Sequence, residues 1–286
     1  MTDYTVIGHS ASSARTDVRL IVADLDGTLL DGQGELPGTT WQLLAELERR
    51  GILFCPASGR QYENIAQTFG PAGRRMVVIA ENGTYVVQDG REISSDTLGD
   101  DSARAVLLAV RDLAADGADI GAVLCGKRSA YIERHDPAFV RQAATYYALL
   151  AMVDDLSAVS DDTLKIEIYD FGSAELTTAP GLRRFADDLQ VVVSGQHWVD
   201  VMTLTASKGA AVRQIQQAYS ILPAQTMVFG DYLNDLPMMS VADYSFAVVN
   251  AHPDLLEAAS FVAPANTEDG VVRAIAAVLG LPRDGR

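Results

Sequence analysis

Leu20-Ile21-Val22-Ala23-Asp24-Leu25-Asp26-Gly27-Thr28 is the stretch on which the fold turns. Four apolar residues run into two carboxylates, a glycine and a hydroxyl, the pattern of a buried strand whose end meets solvent. Side chains at i and i+2 of a strand face the same way, so Asp24 and Asp26 are expected to converge. Two like charges that close repel unless a cation sits beside them or they share a proton. Gly27 permits a tight turn and offers a backbone N–H to an anion. The C-terminal edge of a parallel strand is also where α/β folds keep their ligands.

Outward from this strand, short apolar runs alternate with amphipathic stretches, the rhythm of parallel strands joined by helices. Strands are expected at Val18 to Ala23, Ile52 to Ala57 and Met76 to Ala80, with helices at Gly38 to Arg50 and Gln61 to Phe69. After Glu81-Asn82-Gly83 the rhythm changes. Tyr85 to Ile93 reads as a hairpin by its Asp89-Gly90 turn, and hairpins belong to antiparallel sheets. From there to about Thr203 helices (Ala103 to Ala115, Ala138 to Met152, Gly181 to Leu189) interleave with strands near Ile120, Ala130, Leu164, Val191 and Trp198. The parallel rhythm then resumes, with a helix from Lys208, strands at Met227 and Ser245, helices near Leu236 and Asp254, a short strand at Phe261 and a closing helix to Leu279. The expected architecture is an α/β core with a doubly wound parallel sheet, split by an inserted α+β domain. Boundaries are expected at 1–17 for a loose N-terminal tail, 18–83 and 204–286 for the core, and 84–203 for the insert.

Composition narrows the function classes. A chain of 286 residues has ample material for two domains, and 48% hydrophobic with 21% charged residues is an ordinary globular balance. A net charge of −16 repels nucleic acid and anionic membranes, so neither is expected as a partner. An anionic substrate must be drawn in by a local cation. No apolar run approaches the ~20 residues of a membrane span, and no secretory pattern opens the chain. Cys55 and Cys125 both lie in apolar runs, which suits buried thiols in a reducing cytoplasm and excludes a disulfide framework.

Three more strand tips or helix starts carry groups suited to phosphate. Ala57-Ser58-Gly59-Arg60 is expected to open a helix, where the Ser58 hydroxyl and backbone N–H groups can hold phosphate oxygens. Lys208, at a helix start, offers a point charge for the same oxygens. Gly230-Asp231-Tyr232-Leu233-Asn234-Asp235 adds two carboxylates and an amide after another strand.

These motifs, in this order, resemble those of haloacid dehalogenase superfamily phosphatases of the Cof type, with the insert as a cap of the C2B type. The resemblance extends from about Leu20 to Leu279 and includes Glu81-Asn82-Gly83, Val249-Asn250-Ala251-His252-Pro253 and Glu268-Asp269-Gly270-Val271. It is specific across the core and weak across the cap. It implies that Asp24 attacks phosphorus to form an aspartyl-phosphate, and that Asp26 protonates the leaving oxygen and later takes a proton from water. It also implies a magnesium ion held by Asp24, the backbone carbonyl of Asp26 and Asp231, with Asp235 supporting it. Oxygen ligands suit such a hard cation, and no His or Cys cluster suggests zinc. Lys208 would offset charge on the transferring group, Gly27, Ser58, Gly59 and Asn234 would hold its oxygens, and Thr28 would orient Asp26.

The expected activity is hydrolysis of a small phosphorylated metabolite, a sugar phosphate or related monoester, in the cytoplasm. A phosphomutase using the same intermediate and a non-catalytic sugar-phosphate-binding protein are the alternatives. Arg60 and Asn82 could touch substrate or brace the junction. Candidate readers of the leaving group are Lys127, Arg128, Tyr131, Arg134 and His197, and His197-Trp198 could equally pack within the cap. Tyr232 and the glycine-free Thr203-Leu204-Thr205-Ala206 depart from the family pattern and bear on substrate choice. A Cys55 to Arg60 phosphate cradle is one residue too short for a cysteine-dependent phosphatase. A phospho-acceptor signalling domain would not place an acid/base group two residues after its acceptor. Substrate identity and oligomeric state are not fixed by the sequence.

Overall fold

The computed structural model describes residues 17–281, so the expected tail over residues 1–16 lies outside the described residues. Its strands are β1 (Leu20–Asp24), β2 (Leu53–Ala57), β3 (Val77–Ala80), β4 (Tyr85–Gln88), β5 (Arg91–Ser95), β6 (Ile120–Gly126), β7 (Ala130–Ile132), β8 (Leu150–Met152), β9 (Thr163–Asp170), β10 (Leu189–Gly195), β11 (Trp198–Thr203), β12 (Thr226–Gly230), β13 (Tyr244–Val248) and β14 (Phe261–Ala263). The described residues divide into two compact units, one of residues 17–58, 76–78 and 208–281, the other of 59–75 and 79–207.

In the first unit parallel strands run in the order β14-β13-β12-β1-β2. β1 is buried along its whole length, as its unbroken apolar run requires of a central parallel strand. The chain moves outward from β1 through β2 on one side and through β12, β13 and β14 on the other, which makes the C-terminal ends of β1 and β12 a topological switch point. The helix Gly38–Arg49 buries Leu43, Leu44 and Leu47, and Phe229, Phe246 and Phe261 stack successively across β12, β13 and β14.

The second unit contains the β4–β5 hairpin, turned by Asp89 and Gly90 with φ of 51° and 68°, and a six-stranded sheet ordered β10-β11-β9-β6-β7-β8. Ile166 and Ile168 of β9 belong to a core shared with the helix Asp100–Ala115 through Val106, Leu107 and Val110, whereas Tyr169 joins a core around Phe139 of the helix Pro137–Tyr146. The fold is thus a Rossmann-like α/β core with an α+β cap.

Two expected helices are shorter than the sequence pattern. The helix expected over Ala138 to Met152 ends at Tyr146, and Leu150–Met152 instead pairs in parallel with β7. Ala148 to Met152 favour helix intrinsically, but an open sheet edge outweighs that preference. The helix expected over Gly181 to Leu189 reduces to Ala179–Leu182 and one tight turn, because Leu189 already belongs to β10.

Candidate active site

Register alone gathers the first unit's polar tips at one sheet edge. Asp24 lies opposite Ala57, so Ser58 follows directly on its neighbour strand. Ala23 lies opposite Phe229, which places Gly230 at the end of β12 and Asp231 just beyond it on the other side. Lys208 is the first residue of the helix Lys208–Tyr219 and is wholly buried. Its Nζ donates to Asp24 Oδ1 at 2.5 Å and to Asp235 Oδ1 at 2.7 Å. Carboxylate oxygens of Asp24, Asp231 and Asp235 all lie within 4.8 Å of one another.

Glycine makes this density possible at two points. Gly27 has φ +81°, and a Cβ there would strike the Asp231 carboxylate, with Cγ only 2.9 Å away. A Cβ on Gly230 would lie 2.6 Å from the Cβ of Asp235. The backbone therefore approaches the carboxylates at distances that no other residue type allows.

The electrostatics are those of crowded acids around one base. Burial pushes the Asp24 carboxyl well above its usual value; Lys208 opposes that shift, and Asp235 and Asp231 add to it. Burial, then Asp235, pushes Asp231 up to about 6, against the Thr28 hydroxyl and Lys208. Burial alone would lower the Lys208 ammonium, but Asp235 and Asp24 outweigh it and hold the group above its ordinary value. Three carboxylates face one ammonium, which leaves an excess negative charge in a buried site. An all-oxygen donor set with that excess fits a hard divalent cation, which the Asp24, Asp231 and Asp235 cluster could hold.

Several expected placements change. β1 stops at Asp24, so strand alternation does not govern Asp26: Asp24 is buried at 5% exposure while Asp26, in the turn Leu25–Leu29, is exposed. Thr28, expected to orient Asp26, donates its hydroxyl proton to Asp231 Oδ1 at 2.9 Å. The turn made by Gly27 brings the hydroxyl back toward β12, away from the role that the resemblance implied. Asp235 is held by Lys208 and accepts from the backbone N–H groups of Asp231 at 3.0 Å and Tyr232 at 3.3 Å, so it fixes the loop that carries Asp231. Ser58 is buried just past β2, but the helix it was expected to open starts only at Tyr62, with Gln61 as its N-cap. Asn234 is half-buried in the single turn Leu233–Asp235, and Gly59 belongs to the second unit. Tyr232 packs edge-on against His252, with ring centroids 5.7 Å apart.

Sequence reasoning missed the part played by Asn250, whose Nδ2 donates to the Gly27 carbonyl at 2.9 Å, and by the His252 N–H, which donates to the Asp231 carbonyl at 2.7 Å. Both lie in the quoted Val249-to-Pro253 motif, so the signal was present but carried no role. The candidate readers in the second unit are engaged there: Lys127 with Glu92, Arg128 with Asp161, Tyr131 with Asp161, and Arg134 with Asp119 and Asp136. His197 donates its Nδ1–H to the Asp170 carbonyl and lies near the Tyr169 ring, and Trp198 packs on Tyr169 and Tyr146, contacts that suit the packing role. Cys55 and Cys125 are fully buried thiols outside any disulfide, which argues against a cysteine nucleophile.

A parallel α/β sheet bearing Asp24, Lys208 and Asp231 at its switch point, with a cap, defines a class of hydrolase. The sequence profile of haloacid dehalogenase-like hydrolases matches residues 21–275, and the chain belongs to that family. It is 29% identical over 267 residues to the Escherichia coli 5-amino-6-(5-phospho-D-ribitylamino)uracil phosphatase YbjI, covering 92% of this chain and 96% of that protein. It is 25% identical to the phosphatase YwpJ of Bacillus subtilis, covering 89% and 97% of the two chains. Among solved structures, SMU.1108c of Streptococcus mutans aligns with a TM-score of 0.84 at 23% identity, covering 92% of this chain and 99% of that one. TM0651 of Thermotoga maritima aligns with a TM-score of 0.77 at 22% identity over 93% and 98%, and both share the fold. No helix among the described residues is long and apolar enough to cross a membrane.

Proposed function

We propose that this hydrolase is a magnesium-dependent phosphatase that cleaves a small phosphate monoester, a sugar phosphate or a close relative, through an aspartyl-phosphate on Asp24. The observation that carries the proposal is the Lys208 ammonium buried between Asp24 and Asp235, with Asp231 within metal-sharing distance of both. The curated relatives named as phosphatases support the reaction class, and the phospho-ribityl group in the name of YbjI's substrate is a monoester of the proposed kind.

The Asp24 carboxylate attacks phosphorus in line as the bond to the leaving oxygen breaks, and Asp26 gives that oxygen its proton. A water then attacks the phosphoryl group, Asp26 takes its proton, and inorganic phosphate leaves with Asp24 restored. The exposed position of Asp26 suits a group that must exchange protons in each half-reaction. Lys208 orients Asp24 and opposes the rise that burial imposes on its carboxyl, and its charge offsets that of the phosphoryl oxygens. Ser58, Gly59, Gly27 and Asn234 hold those oxygens. Thr28 and Asp235 fix Asp231 instead of touching substrate. Asp24, the Asp26 carbonyl and Asp231 would hold magnesium, which would supply positive charge to the transferring group. Substrate choice is assigned to the inserted cap.

A phosphate-release screen across sugar phosphates, nucleotides and cofactor phosphates, with magnesium present, tests this directly. Wild type should release phosphate from at least one sugar-phosphate-like monoester, and Asp24→Asn should be folded and inactive on it. An Asp24→Asn protein that keeps more than a few per cent of the rate removes the nucleophile from the scheme.

A further inference from the structure

The second unit contains another buried lysine that no catalytic role uses. Lys165 projects from β9, one residue from the core positions Leu164 and Ile166, and is completely inaccessible. Its Nζ donates to the Gly59 carbonyl at 2.8 Å and to Glu167 Oε1, and it lies 3.1 Å from Glu81 Oε2 and 3.2 Å from Asp200 Oδ1. All four acceptors belong to the same unit as the lysine. They come from four places in the chain: the loop after β2, the turn after β3, β9 itself and β11.

The two loops so gathered are also tied to each other. The Glu81 N–H donates to the Arg60 carbonyl at 3.1 Å, and Asn82 Nδ2 donates to Asp200 Oδ2 at 2.5 Å. Glu81 and Asn82 have φ of 50° and 57°, a left-handed pair with no glycine, which persists only where the surroundings over-determine it. A Cβ on Gly59 would lie 3.2 Å from the Asn82 amide, so the loops are in close register there.

A buried lysine facing three carboxylates is a poor device for stability, since an apolar replacement of such groups is often neutral or better. What it does well is fix geometry. A trans peptide is planar, with its carbonyl and N–H pointing in opposite directions, so holding the Gly59 carbonyl sets the plane of the Gly59–Arg60 peptide. Gly59 is covalently the next residue after Ser58. Restricting that peptide restricts the Ser58 hydroxyl and the N–H groups that follow it.

We infer that Lys165, with Asp200 as its partner, is a positioning residue for the Ser58-Gly59-Arg60 loop, acting through the Gly59 carbonyl and the Glu81-Asn82 turn. This inference rests on the proposal above that the loop holds phosphate. Lys165 itself does not touch the phosphoryl group. It lowers the cost of binding by keeping the loop in the binding conformation before the ligand arrives.

The test is a double-mutant cycle on the affinity of the magnesium-loaded, full-length protein for inorganic phosphate, read by titration calorimetry. Lys165→Met and Ser58→Ala should each weaken binding about tenfold, the value of one charge-assisted hydrogen bond. The double variant should lose less affinity than the two single losses combined, because the Ser58 hydroxyl is part of what the lysine positions. Asp200→Asn, which keeps side-chain volume, should reproduce the effect and its dependence on Ser58, and it answers the question if Lys165→Met does not fold. An equal weakening in both backgrounds, or wild-type affinity in folded Lys165→Met or Asp200→Asn, overturns the positioning role. Wild-type affinity in Ser58→Ala instead overturns the phosphate assignment of the loop, and the inference falls with it.

Discussion

Lys208→Met is the sharpest perturbation of the active site, since it removes charge without removing much volume. The ammonium is wholly buried and donates to Asp24 at 2.5 Å and Asp235 at 2.7 Å. Its loss leaves three clustered carboxylates with no internal counter-charge, and breaking one side of a buried pair costs about 3–5 kcal/mol. At about 2–4 °C per kcal/mol for a protein of this size, the melting temperature should fall by roughly 6–20 °C. Urea unfolding at 25 °C should report the same 3–5 kcal/mol (approximately) as a shift in midpoint with an unchanged slope. Magnesium should recover part of the loss, because a divalent cation offsets the same carboxylates. Adding Asp235→Asn to Lys208→Met should also recover stability, since it removes one uncompensated charge while its carboxamide oxygen still accepts from the Asp231 N–H. A Lys208→Met protein as stable as wild type, in metal-free buffer, would refute the electrostatic account of the cluster.

Three further outcomes follow from the geometry. EDTA should stop phosphate release and added magnesium should restore it; undiminished rates in chelator would contradict the metal assignment. Gly27→Ala, which forces a Cβ onto the Asp231 carboxylate at a φ of +81°, should displace that group and weaken magnesium binding about tenfold or more by calorimetry, whereas wild-type affinity would mean the clash relaxes elsewhere. Glu81→Gln isolates a pH effect in the second unit. Burial raises the Glu81 carboxyl above its ordinary 4.5; Lys165 opposes this, and Asp200 reinforces it, with Glu167 and Cys125 also nearby. The folded protein therefore binds that proton more tightly than the unfolded chain. The associated stability is present below 4.5 and is lost as pH rises through the folded value. The stability of Glu81→Gln relative to wild type should grow in urea melts as pH rises above 4.5, and a constant difference would show that Glu81 does not titrate in this way.

How much of this was legible in the sequence depends on the distance over which each feature is decided. The apolar run into Asp24, the Asp89-Gly90 hairpin and the strand-then-loop pattern at Gly230 are local, and period and turn chemistry suffice for them. Asp26 and Thr28 were misread over only a few residues. A strand's length is set by its neighbours: β1 stops where its pairing with β2 and β12 stops, and beyond that point alternation carries no information. The helix expected up to Met152 failed for the same reason, because an edge next to β7 cannot be seen from Tyr147 to Met152 alone.

The two buried lysines mark the limit most clearly. Lys208 draws acids from positions 24 and 235, and Lys165 draws them from 81, 167 and 200, so both are hubs of long-range charge. Lys208 was singled out because it stands at a helix start amid motifs that already implied an anion. Lys165 sits inside an apolar strand, where the local sign was only Lys165 and Glu167 on one face of an otherwise buried segment. A charge at i and its opposite at i+2 in a fully buried strand is costly unless further partners arrive from elsewhere. That cost is itself a usable signal. It argues that distant polar groups must converge on the strand, and the segments that supply them, Gly59 and Glu81-Asn82, are the loops whose conformation the chemistry needs fixed.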